Sequence, residues 1–164
     1  MNVFILDKNP ELCANFICDK HLSIQILNIR HILYSSMVKS NLLDNLKNYS
    51  NSINHPFVSW SRLSQKNFFW IRQLGLNLCK EFSYRHSLHH SHRFEDDIKK
   101  AFTCKDKNPL PLNKAPRCMP EYFKNEDIVK SYRDYYLSYK SDLLQYTKRN
   151  VPYWVSDLGL GEHR

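Results

Sequence analysis

At 164 residues and 19.7 kDa the chain is long enough for one hydrophobic core and short of what two domains need. A hydrophobic share of 42% against 24% charged residues excludes wholesale disorder, and the 3 glycines form no phosphate-cradling loop and no nucleophile elbow. The net charge of +8 and pI near 9.3 favour a polyanionic partner, nucleic acid first and an anionic membrane surface second.

Val3 to Leu6 is a short apolar run that reads as an edge strand or a buried arm. Asn9-Pro10-Glu11 then marks a helix start, with Asn9 as cap, Pro10 in the first turn and Glu11 facing the dipole. Apolar residues keep a helical period to about Val38, which turns Phe16, Ile17, Ile24, Leu27 and Leu33 or Tyr34 inward. The Asn- and Ser-rich stretch from Ser40 to Asn54 is a surface connection, with Leu42, Leu43 and Leu46 suggesting a helical turn. Pro56 pushes His55 out of the helical region. A long helix follows from about Ser59 to Tyr84, its inward stripe being Trp60, Leu63, Asn67, Trp70, Leu74, Leu78 and Phe82. Gly75 inside it asks for the close approach of another helix or a ligand.

A histidine-rich elbow runs from Arg85 to Arg93, and Phe94 to Phe102 reads as a short helix. The segment from Lys105 to Met119 holds three prolines and is irregular. The last long helix spans about Asn125 to Lys148, with Ile128, Tyr132, Tyr135 or Tyr136, Tyr139, Leu143 and Tyr146 on its aromatic face. Pro152, Tyr153 and Trp154 anchor the tail, and residues 156–164 form a flexible end. Three long helices, short extra ones and little strand predict a single all-α domain over residues 1–164. No stretch is apolar enough to span a bilayer, and no basic region precedes an apolar one at the N-terminus, so a cytoplasmic, membrane-free protein is expected. The five cysteines, without close pairs, read as reduced and mostly buried.

Four constellations could carry chemistry. In the first, with Lys20 beside them, His21, Gln25 and Asn28 share a helix face that can meet phosphate or base edges, with His21 as a proton-transfer group, or is simply solvated or structurally satisfied. The second is His55, Trp60 and Asn67: a polar-lined cavity with a stacking indole, or a self-satisfied core. The third, Arg85, His90 and Arg93, suits phosphate contact or is a solvated patch. No histidine there has zinc-ligand spacing, so neither metal nor cofactor is expected. The fourth interleaves Tyr132, Arg133 and Tyr136 with Lys140, as a nucleic-acid surface does and as a tyrosine-rich core rim also does. His21, Asn67, Arg85 and Tyr132 each lie beside an apolar anchor, so they either converge on one cleft with His55 at its mouth, or Asn67 and Tyr132 hydrogen-bond backbone groups at opposite ends of the bundle.

The opening Met1-Asn2-Val3-Phe4 with Asp7 and Pro10, then Cys18-Asp19-Lys20-His21, His55-Pro56, Trp60, Ser64, Asn67, Trp70, Gly75, Glu81, Arg85, Met119-Pro120 and Tyr132-Arg133-x-Tyr135-Tyr136 together resemble a family of small bacteriophage proteins. That resemblance covers nearly the whole chain and implies work in the infected cell. The helical layout is also similar to that of the pyrimidine-dimer DNA glycosylases. This similarity implies a DNA-binding, base-acting protein, with His21 in the family's histidine position and Asn28 where those enzymes carry a glutamate. Asn28 would then orient a water or a base edge. The second function expected is a binding module for a small anion or nucleotide that blunts a host defence signal, without catalysis.

Overall fold

Asn9 begins the helical part of the chain: its side chain accepts the N–H groups of Glu11 and Leu12, and Pro10 supplies the first-turn geometry. In the computed structural model, which describes residues 2–42, 53–88, 93–102, 111–140 and 144–156, this helix, α1, is Pro10–Asn15. It stops at Phe16, and a second helix, α2, runs from Asp19 to Lys39. The sequence reads as one helical stretch across that break. Restarting at Asp19 resets the phase, so Ile24 is 53% exposed while Leu22, Ile26, Ile29, Ile32 and Leu33 face the core.

After the connection, whose residues 43–52 lie outside the described ones, α3 spans Pro56–Ser61 and α4 spans Gln65–Arg85. The expected helix from Ser59 is therefore two, because Ser64 accepts the Asn67 N–H and caps a fresh start. That shift buries Phe68 and Ile71 and leaves Trp70 at the edge, its indole N–H donating to the Lys8 carbonyl. Helix α5 is Glu95–Lys100, and two 3-10 turns, Leu112–Lys114 and Glu121–Phe123, punctuate the proline-rich run. Helix α6 is Ile128–Lys140, and a single turn, α7, is Tyr153–Ser156. Residues 144–150 are not helical, so Tyr146 lies beyond the last helix rather than on it.

The described residues form a compact all-helical fold without a sheet, built on α2 and α4, with α1, α3 and α5 packed around that pair. Gly75 lies at their contact: a Cβ there would stand 2.7 Å from Ile29 Cγ2 and 3.2 Å from Ile98 Cδ1. Packing, not a ligand, requires the glycine. Val3 to Leu6 is a buried extended arm, not a strand. No helix is long and apolar enough to cross a membrane among the described residues.

Candidate ligand-binding site

The polar face of α2 is turned against the chain's own N-terminal arm. Gln25 Oε1 accepts the Phe4 N–H, and Gln25 Nε2 and Asn28 Nδ2 both donate to the Asn2 carbonyl. A buried arm has backbone groups to satisfy, and these two amides supply the partners. His21 closes the row: its Nδ1 lies 2.8 Å from the Tyr136 hydroxyl and its ring packs on Phe4. Lys20, next to it, is exposed.

From His21 a buried polar seam runs toward the surface. Cys18 Sγ lies 3.4 Å from His21 Nδ1, and the Cys18 N–H donates to the Tyr136 hydroxyl. Burial pushes the Tyr136 phenol well above its usual range, so it stays protonated. Arg85 occupies the centre at 2% exposure, donating to Glu81 at 2.7 Å, to Asp19 at 2.8 Å and to the Asn15 carbonyl at 2.9 Å. Its guanidinium also covers the Tyr146 ring. Arg149 grips Glu81 through both carboxylate oxygens, at 2.9 and 2.8 Å. Asp19 in turn accepts the N–H and hydroxyl of Thr147. Burial raises the Glu81 and Asp19 carboxyls, but the Arg149, Arg85 and Thr147 hydrogen bonds outweigh it and hold both below their usual values.

The seam opens into a recess of about 280 Å³. Helix α1 contributes Glu11 and Asn15, α4 contributes Asn77, Lys80, Glu81 and Tyr84, and the 146–149 segment contributes Arg149. On α4 these are neighbours three and four residues apart, which places them along one face. Arg149 stacks on Tyr84 at 4.5 Å, which fixes the cation at the rim. Its Nε and Nη2 are spent on Glu81, whereas Nη1 makes no hydrogen bond among the described residues. The exposed Lys80 has no ion-pair partner among them either. No cluster of metal-ligating side chains occurs among the described residues.

The other expected site residues lie elsewhere. His55 caps α3, its Nδ1 accepting the Phe57 N–H. Trp60 is 4% exposed, and Asn67 donates to its carbonyl. Tyr132 is fully buried and donates to the Pro116 carbonyl. Arg133 ties the Leu6 carbonyl and Asp7 to Tyr153. Arg93 is exposed over Phe94. His90 and the side chain of Lys140 lie outside the described residues. Of the four residues expected to share a cleft, His21 and Arg85 belong to the seam, while Asn67 and Tyr132 hydrogen-bond outside it. Sequence reasoning passed over the recess residues Asn77 and Lys80, placed Tyr146 on a helix face, and named Glu81 only among the residues of the phage resemblance. The Glu81–Arg85 pair, four apart on a helix, was the available signal.

No family model, curated protein or solved structure matches the chain. The expected kinship with phage proteins and DNA glycosylases is corrected accordingly. The geometry points the same way: Asn28 Nδ2 is committed to the Asn2 carbonyl. The DNA-binding face is corrected too. Arg30, Arg85, Arg133, Arg149, Lys99, Lys124 and Lys130 are each paired with an acid, so the net charge does not assemble into a basic surface from them. The stacking aromatics Trp60 and Tyr136 are buried.

Proposed function

We propose that the chain is a binding module for a small anion, held in the recess between α1, α4 and residues 146–149. The observation that carries this reading is the pair of cations at its rim, Lys80 and Arg149, with an ammonium and one guanidinium nitrogen left to meet a ligand. Arg149 shares Glu81 with Arg85, which also meets Asp19, so the Lys80 ammonium is the cation of the recess without an ion-pair partner among the described residues. Glu11 and the amides of Asn15 and Asn77 complete a polar wall able to exchange hydrogen bonds with hydroxyl or amino groups. A recess of about 280 Å³ is at the small end of ligand sites and suits a molecule no larger than a mononucleotide.

Titration calorimetry at low salt, with inorganic phosphate and a nucleoside 5′-monophosphate as probes, tests it. Binding of either should weaken about tenfold in Lys80→Ala, the loss of one charge-assisted hydrogen bond, with the thermal midpoint unchanged. Heats of zero for both probes against the wild-type protein would reject the reading.

A further inference from the structure

The recess between α1, α4 and residues 146–149 carries both signs of charge, and they are unevenly paired. The cations Lys80 and Arg149 and the carboxylates of Glu11 and Glu81 all line it. Arg149 and Glu81 satisfy each other through hydrogen bonds at 2.9 and 2.8 Å. That leaves Lys80 on α4 and Glu11 on α1. Both are exposed, and neither has an ion-pair partner among the described residues. The Arg149 guanidinium is held above its ordinary value chiefly by its hydrogen bond to Glu81, and Glu11 adds to the rise from the α1 wall without pairing. Glu11 thus faces the cationic side of the recess and stops short of it.

The two unpaired charges stand on walls that are already fixed. The Trp70 indole holds the Lys8 carbonyl just ahead of α1, and Arg85 holds the Asn15 carbonyl at its end. Helix α1 is thereby tied to α4 at both of its ends, so a ligand need not assemble the recess. Each charge also has an amide one turn away on its own helix, Asn15 beyond Glu11 and Asn77 before Lys80. Neither side-chain amide makes a hydrogen bond among the described residues. A purely anionic ligand would meet Lys80 with Glu11 opposing it, whereas a ligand of both signs is attracted to each.

We propose that the ligand of this recess is a small zwitterion, with its phosphate or carboxylate on Lys80 and its primary ammonium on Glu11. This rests on the anion-binding reading above and narrows it to a chemical class. An ammonium has three donors and no acceptor, so the Glu11 carboxylate and the Asn15 amide oxygen can both accept from it. The oxygens of the anionic group accept from the Lys80 ammonium and the Asn77 amide. A recess of about 280 Å³ suits a molecule whose two charged groups are a few bonds apart.

Calorimetry of the full chain at low salt compares aminoethyl phosphate with ethyl phosphate, and β-alanine with propionate. The members of each pair differ only in the ammonium. In at least one pair the ammonium-bearing member should bind about fivefold tighter, the upper range for a solvent-exposed ion pair. Which pair shows the gain tells a phosphate monoester from an amino acid. Glu11 is exposed, so Glu11→Gln should keep the native circular dichroism. It should erase the gain and tighten the ammonium-free partner, because a carboxylate facing the anion is gone. If ethyl phosphate or propionate binds and the ammonium brings no gain, or the gain survives in Glu11→Gln, the zwitterion assignment is overturned and the anion reading stands. Heats of zero with all four probes overturn the assignment as well, and the phosphate and nucleotide titrations above then decide the anion reading.

Discussion

Arg85 illustrates how a single side chain can serve three elements. Its donors reach Glu81 on its own helix, Asp19 at the start of α2 and the last carbonyl of α1. Replacing it by methionine leaves Asp19 with only Thr147 and Glu81 with only Arg149, both partly or wholly buried. Removing one partner of a buried ion pair costs roughly 3–5 kcal/mol, and Arg85→Met should lose about that in urea unfolding at neutral pH. A loss under about 1 kcal/mol would mean the seam contributes nothing net, as surface pairs do. Gly75 offers the opposite experiment, an addition. Alanine is favoured over glycine in a helix by about 1 kcal/mol. The new methyl would, however, meet the β-branched Ile29 at 2.7 Å. Gly75→Ala should therefore destabilise by about 1–3 kcal/mol, the cost of overpacking. The sequence pattern marked Gly75 and Arg85 as unusual. It could not say whether Arg85 faced a ligand, because the acids that surround it come from 66 residues away as well as from the same turn.

At the level of elements, the N-terminal arm depends on α2 for its hydrogen bonds. With Gln25→Ala the Phe4 N–H loses its acceptor, so a fall of about 1–3 kcal/mol is expected, the cost of an unsatisfied buried group. Amide exchange read at Phe4 should quicken in the same variant. Helix type and rough position were legible along this chain because propensity and apolar period agree in α2, α4 and α6. Helix boundaries were less legible. The break at Ser64 comes from side-chain capping and the one before Asp19 from an extended Cys18 backbone, and each interrupts a run whose hydrophobic period continues in the sequence. The row His21, Gln25, Asn28 was legible as a polar face, and its partner was not. A polar face can meet a ligand or a buried stretch of the same chain, and only the fold shows that residues 2–6 fill it.

For the molecule as a whole, the seam links α1, α2, α4 and the segment after α6, so its charge state should govern acid stability. Asp19 and Glu81 ordinarily titrate near 3.8 and 4.5, and in the fold both are held lower. Asp127, bonded by backbone N–H groups at the start of α6, is lowered as well. A carboxyl depressed by folding stabilises the native state fully above its unfolded value. As pH falls, the unfolded chain binds its protons first and stability declines until the folded values are passed. The urea midpoint should thus begin to fall below about 6.5, where burial keeps His31 from taking the proton that the unfolded chain binds, and drop further below about 4.5 as these carboxyls titrate. Comparison with Glu81→Gln isolates the seam. At neutral pH the variant forfeits the charge that two guanidiniums share, and its midpoint should lie below the wild type's. Below about 4.5 the unfolded wild-type chain binds a proton at this carboxyl that the folded state resists, so the gap should narrow as pH falls. A gap that stays constant down to pH 3 would show that Glu81 acts through shape and packing, with its charge making no difference.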